Sequence, residues 1–441
     1  MAKIGRNPDT VIGMLAVLLV GILCQSSGAE NPALAYMAQD FSDLPYSTIA
    51  MVTTLPSLMM IPASLAYSAL RRFFGFRTLF VGGSALLIVG GVAPAWATSF
   101  EQVLAWRAVF GLGVGVTWPL AQSMIVELYE GNRQDTLLGW NSVVTAFGGI
   151  IWSNVGGLLA LHGWRAAFFT YFIPVAILVF CGIFLPSSGP AKKRETHDKP
   201  SVGRHDDASG ALRDAGNRDG AMIPTSAGSA PGAERPGGIA ARGGKGIVGL
   251  TIIILVGYFL YNFCNMVYFT NISMKVVGEA LGDSASAGFA SSFYTVGSLI
   301  IGVVFGRAMR NRWFARYSMA VGWIASAVGM LIVGTAGTFP MVVVGSVVQG
   351  FGTGTFMPTM VGIIGNVAGK QNASLVLGIS MCLVGASQFF GPTIFNVIVE
   401  ALGLAAGGPC ITLAAVCQLC FALAGTIVLV LVRRGQRLSE E

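Results

Sequence analysis

Gly111-Leu-Gly113-Val-Gly115-Val-Thr-Trp118-Pro119 and Gly350-Phe-Gly352-Thr-Gly354-Thr-Phe-Met-Pro358 are two writings of one pattern, G-x-G-x-G-x-x-x-P. The offset between them is 239 positions (350 minus 111), and it also carries Gly139 onto Gly378, Arg77 onto Arg316, Arg71 onto Arg310 and Gly83 onto Gly322. A register held over so many positions marks a duplicated unit. Both copies sit in strongly apolar surroundings, so the duplication predicts two similar helical bundles facing each other across a pseudo-two-fold axis, with the functional site between them.

Of the 441 residues, 54% are hydrophobic and 11% charged, with a mean hydropathy of +0.70; soluble domains carry about 25% charge. The chain is written for a lipid bilayer. Apolar runs long enough to cross a hydrocarbon core of about 30 Å fall at 11–38, 47–70, 76–97, 101–127, 136–161 and 166–186, then at 248–275, 286–309, 315–336, 339–366, 372–400 and 408–432. The expectation is an all-α integral membrane protein of twelve transmembrane helices in two pseudo-symmetric six-helix bundles, residues 1–186 and 247–441. Between them, 187–246 turns abruptly to Gly, Ala, Ser, Pro and mixed charge, the composition of a disordered cytoplasmic tether.

Arg71, Arg72 and Arg77 follow the second span, Arg307, Arg310, Arg312 and Arg316 the eighth, and Arg433, Arg434 and Arg437 the twelfth, whereas the opposite side offers Arg165 and Lys275. By the positive-inside rule both termini are cytoplasmic. The net charge of +7 is accounted for by that rule and by anionic headgroups, without nucleic acid. Short outer loops fit an inner (cytoplasmic) membrane. The seven cysteines all fall within spans; Cys417-x-x-Cys420, amid Val, Leu and Ala, reads as packing rather than as a metal or disulfide site. No cofactor is expected, and the working unit is expected to be a monomer.

The layout of six spans, loop and six spans, the fourth-span stretch Arg107-Ala-Val-Phe-Gly111-Leu-Gly113, and Gly163-Trp164-Arg165 before the sixth span resemble the major facilitator superfamily over the whole chain apart from the linker. The resemblance implies a secondary transporter working by alternating access, closest in layout to the drug:proton antiporter branch. Two motifs depart from the family. Its loop after the second span reads close to G-x-x-x-D-R-x-G-R, but Arg72 stands here where the acid would be. Its antiporters carry Gly-Pro and a Gly pair in the fifth span, where this chain has Trp152-Ser-Asn154-Val-Gly156-Gly157. Direction of transport is left open between efflux and uptake.

Ionisable residues inside a span are costly and therefore candidates for function. Glu30 is the carboxylate placed well inside a predicted helix; at about 1.5 Å per residue it lies roughly 9 Å outward of the first span's midpoint, and Arg107 lies roughly 10 Å outward of the fourth's. Matching depth predicts a charge pair facing the central cavity, which protonation of Glu30 would break, coupling protons to solute. The resembling antiporters share an acid in the first helix and this Arg in the fourth. Arg107 would also suit a carboxylate on the solute.

In the seventh span Tyr258, Tyr261, Asn262, Asn265 and Tyr268 share one helical face, fitting a small organic solute with rings and hydrogen-bonding groups. Further candidate contacts are Gln25 and Ser26 beside Glu30, Trp118 and Gln122 beyond the fourth-span glycines, Asn141 opening the fifth, Gln349 at the position of Phe110 in the other repeat, and Gln388 in the eleventh. Neither glycine ladder is a phosphate loop, since no strand precedes and no Lys-Ser/Thr follows. With no His cluster and no activated nucleophile in the helices, an enzyme is not expected. The alternatives to a proton-coupled transporter are a uniporter, or a membrane receptor that has kept the fold without turnover.

Overall fold

In lipid every backbone N–H and C=O must be satisfied within the chain, so a sequence this apolar is driven into helices. The computed structural model describes residues 10–185 and 244–438, and among these the regular structure is helical, with no strand. Eleven helices among the described residues are long and apolar enough to cross a membrane, from Val11–Asp40 to Gly408–Ile427. At the expected second span stands Met51–Phe73, a helix of 23 residues whose Thr53, Thr54, Ser57 and Ser64 lower its hydropathy. It packs against the fourth span, where Ser64 Oγ donates to Gly115 O at 3.0 Å, and against Gly385 of the eleventh at Ser57 and Ile61. The tenth and eleventh spans, Phe339–Met360 and Ile379–Ala401, belong to one helical run, Phe339–Ala401. The expected tether lies outside the described residues up to 243, and the seventh-span helix begins at Gly244 rather than at 248.

The repeated glycines set the close approach of helices in each half. A Cβ added to Gly113 would stand 2.7 Å from Gly83 O on the third span, and one added to Gly352 would stand 2.7 Å from Gly322 O on the ninth. Gly111 and Gly115 press on Pro56 and Met60 of the second span, as Gly350 and Gly354 press on Tyr294 and Ser298 of the eighth. The duplication thus appears as duplicated contacts: the middle glycine of each ladder receives the span immediately before its own, and its neighbours receive the span before that. Small residues at such crossings let backbones approach and slide.

A polar seam joins the halves at the end away from the termini. Ser273 Oγ donates to Pro32 O at 2.7 Å and accepts from Ala35 N at 3.2 Å. Tyr46 OH donates to Thr270 O, Ser284 Oγ donates to Gly157 O at 2.9 Å, and Asn154 Nδ2 donates to Ser292 Oγ at 2.5 Å. Glu400, at the end of the eleventh span, takes Ser47 N–H on one carboxylate oxygen at 2.7 Å and Ser47 Oγ on the other at 2.8 Å. Hydrogen bonds to a charged acceptor are worth about 1.5–3 kcal/mol each. Glu400→Ala is therefore expected to open this end, raising the long-distance fraction between spin labels at exposed Asp43 and Leu404 by about tenfold or more. An unchanged distance distribution would show that the carboxylate adds nothing to closure.

Candidate functional site

The first span is interrupted where its chemistry sits. The α-helix Val11–Cys24 gives way to 3-10 turns at Ser26–Gly28 and Asn31–Ala33, and the α-helix resumes at Leu34–Asp40. Gly28 weakens the helix, and Pro32, lacking an N–H, starts a new turn more readily than it continues an old one. Glu30 lies in the break between the two turns rather than within continuous helix.

Glu30 and Arg107 form an ion pair, each with a fully buried side chain. Arg107 sits on the fourth span, Phe100–Leu128, whose Ser99 cap accepts from Gln102 N. It aims three nitrogens at separate partners: Nη2 at Glu30 Oε1, Nε at Val52 O (2.8 Å) and Nη1 at Tyr171 OH (3.2 Å). Its guanidinium lies 4.2 Å from the centre of the Phe110 ring, which packs edge-on against Tyr171 at 5.0 Å. Tyr171, from the 3-10 turn Phe168–Phe172 that leads into the sixth span, has its hydroxyl on Glu30 Oε2 and 2.9 Å from Ser26 O.

All of these partners belong to the first half. The pair expected in the central cavity instead faces the interior of its own bundle, because a guanidinium sealed from water must find its acceptors locally, and the nearest are Val52 O and the Tyr171 phenol. Tyr171 escaped the sequence reading. Its one signal was a hydroxylated aromatic close after Gly163-Trp164-Arg165, and its repeat partner is Cys410, which offers no matching chemistry.

The seventh-span stripe is likewise turned inward. Tyr261 OH lies 2.6 Å from Thr353 Oγ1 and donates to Ser326 Oγ at 3.1 Å. Gln349 Nε2 donates to Asn265 Oδ1 at 3.1 Å, and Gln418 Nε2 donates to Ser326 Oγ at 3.1 Å. Tyr268 OH meets Ser346 Oγ at 2.8 Å; Asn262 returns its amide to Tyr258 O; Tyr258 stacks over Phe356. Periodicity places these side chains on one face, and that face is occupied by hydroxyls and amides of the ninth, tenth and twelfth spans. Ser326, Thr353, Ser346 and Gln418 were missed because lone Ser, Thr and Gln in an apolar helix carry no distinguishing pattern.

The remaining candidates disperse. Gln25 and Gln388 are half-buried, Gln122 is exposed, and Trp118 packs against both apolar clusters of the first half. Asn141 lies against Gly21, and its Oδ1 is buried without a hydrogen-bond partner among the described residues, as are Asn31 Oδ1 and Gln349 Oε1. Thr295 of the eighth span comes close to Gly149 of the fifth, above the Asn154–Ser292 bond. Near the termini, Arg71 bonds Glu127 at 2.9 Å and lies 3.9 Å over the Phe76 ring, so the basic loop is tied to the fourth span by an acid other than the one the family places at position 72.

Comparison with known proteins agrees with this architecture. A 129-residue stretch is 33% identical to the proton myo-inositol cotransporter of Homo sapiens, covering 29% of this chain and 20% of that one. Another of 197 residues is 25% identical to the 4-hydroxybenzoate transporter PcaK of Pseudomonas putida, covering 42% of each. A third of 134 residues is 27% identical to the arabinose-proton symporter of Escherichia coli (strain K12), covering 30% and 27%. The matched stretches thus span only a fifth to two-fifths of these relatives. A POT family transporter solved with 5-aminolevulinic acid superposes with a TM-score of 0.65 over 98% of this chain and 99% of its own, at 10% identity. The human organic anion transporter MFSD10 does so with a TM-score of 0.58 over 94% and 98%, at 13% identity, a likeness of fold alone. The sequence profile of the Major Facilitator Superfamily matches residues 13–243 and 254–440. The chain therefore belongs to the Major Facilitator Superfamily, a family of membrane transporters rather than enzymes.

Proposed function

We propose that the protein is a proton-coupled secondary transporter of small, hydroxylated, uncharged organic solutes, with Glu30 as the proton site. The observation that carries the reading is the buried Glu30–Arg107 pair beneath a seam of breakable hydrogen bonds between the halves. A carboxylate paired in a water-excluded site is a two-state element: protonation removes its charge and frees the helices that the pair ties together. With both termini in the cytoplasm of an inner membrane, the described state is closed toward the outside. Alternating access then consists of unzipping the Ser273, Tyr46, Ser284 and Glu400 contacts while the opposite end closes.

The solute class follows from the groups that meet where the fifth span crosses the eighth. Arg107 is engaged on three sides within its own bundle, which argues against it as the carboxylate partner of an anionic solute. Where the fifth and eighth spans cross, the groups that meet are neutral: Asn154 Nδ2 donates to Ser292 Oγ, and Thr295 lies close to Gly149. Such groups recognise hydroxyls by paired donors and acceptors. Relatives named for inositol and arabinose fall in that class, and one named for 4-hydroxybenzoate falls outside it.

The test is proteoliposome transport of polyols, pentoses and hydroxybenzoates with a pH dye inside. Polyol- or pentose-dependent proton movement in the parent, abolished in Glu30→Gln, is the expected result, and its sign gives the direction of transport. Solute flux without proton movement in both proteins would remove Glu30 from the mechanism. Flux of hydroxybenzoate alone would overturn the solute class.

A further inference from the structure

We propose that Tyr171 is the positioning residue that passes the protonation state of Glu30 to the broken turn of the first span; the inference rests on the proton role of Glu30 proposed above. A phenol has one O–H to give and lone pairs to accept with. Here the hydroxyl accepts from Arg107 Nη1 and faces two acceptors at once, Glu30 Oε2 and Ser26 O. One proton cannot serve both. While Glu30 is ionised, the stronger, charge-assisted bond goes to the carboxylate and the Ser26 carbonyl is left with its 3-10 partner alone, Ala29 N at 3.1 Å.

When Glu30 takes a proton from water it becomes a donor itself. Its O–H turns to the phenol oxygen, and the phenol O–H turns to Ser26 O. Tyr171 keeps its own proton throughout, and the proton gained by Glu30 is the only one that enters or leaves. In that state the cluster has a partner for every donor, and the new bond falls on the carbonyl that opens the turn Ser26–Gly28. A proton at Glu30 is thereby converted into a change of hydrogen bonding at the point where the first span is broken. The charged and titratable groups facing Glu30 are Arg107 of the fourth span and Tyr171 before the sixth; the second span contributes the Val52 carbonyl to Arg107, and the fifth contributes Gly156, packed on Ala29. Arg107 remains protonated at any working pH, so the pair's change of state lies with the acid.

The experiment is pH-difference infrared spectroscopy of the protein in lipid, with ring-13C tyrosine, on the parent, Tyr171→Phe and Glu30→Gln. In the parent, acidification is expected to raise a carboxyl C=O band together with a shift of one tyrosine C–O band. Tyr171→Phe, which keeps the ring against Phe110, should lose the tyrosine shift and keep the carboxyl band with a displaced midpoint. Glu30→Gln should lose both. A carboxyl band that depends on Glu30 without any tyrosine shift in the parent overturns the role of Tyr171 and leaves Glu30 as proton site. A tyrosine shift that survives in Tyr171→Phe also overturns it. Absence of a Glu30-dependent carboxyl band overturns the proton role of Glu30 itself and the inference with it. Should Tyr171→Phe fail to fold, the parent and Glu30→Gln still put the proposal at risk, since a Glu30-dependent carboxyl band without a tyrosine shift in the parent overturns it.

Discussion

Arg107→Leu is expected to lower the stability of the protein by about 3–5 kcal/mol, the cost of leaving one member of a buried ion pair without its partner. The loss has several parts in this structure. Glu30 would remain in a site with no exposure, Val52 O and Tyr171 OH would each lose a donor, and Phe110 would lose the guanidinium over its ring. The double variant Glu30→Leu/Arg107→Leu removes both charges and should recover most of the loss, since well-packed apolar groups often replace a buried pair at little cost. Transport would still be absent in the double variant if the pair serves coupling rather than folding. Thermal unfolding in detergent of the parent, both single variants and the double completes the cycle. A double variant no more stable than Arg107→Leu would contradict the account of the pair as a mutually compensating unit.

The second large effect is expected at Gly288, where the eighth span crosses the fifth. A Cβ there would meet the Ser153 backbone carbonyl, and the opposite Gly157 lies against Gly288 at the same crossing, so neither side has a flexible side chain that could yield. Overpacking of this kind costs about 1–3 kcal/mol, a roughly 5- to 150-fold shift against the closed seam at 1.4 kcal/mol per decade. Gly288→Val should therefore populate the state with the seam end open, lengthen the Asp43–Leu404 label distance, and slow turnover in proportion. Gly302→Val, on the same helix with open space around it, is the matched control and should change stability by less than about 0.5 kcal/mol. Equal behaviour of the two variants would show that the crossing is not a closing contact.

Much of the architecture was legible without coordinates because it follows from constraints that act residue by residue. Apolar length decides which segments span, and those boundaries agree within a few residues at most ends; the second span qualified as a helix but carries more hydroxyls than its run of Leu, Met and Ala suggested. The 239-residue offset determined the duplication, and the contacts of Gly113 and Gly352 repeat in the same register. Equal depth brought Glu30 and Arg107 to one level by counting alone.

What counting could not supply is rotation about each helix axis. A rise of 1.5 Å per residue assigns depth, but the direction of a side chain is decided by which neighbours satisfy it once water is gone. That is why Arg107 turns into its own bundle toward Val52 O and Tyr171, why the seventh-span stripe meets Ser326, Thr353 and Gln349, and why Tyr171 joins the site at all. The sequence by itself determined a duplicated membrane bundle with a carboxylate and a guanidinium at matching depth. Only the tertiary structure decided that the two are sealed together under a closed seam, because the partners of a buried charge are a property of packing and not of spacing.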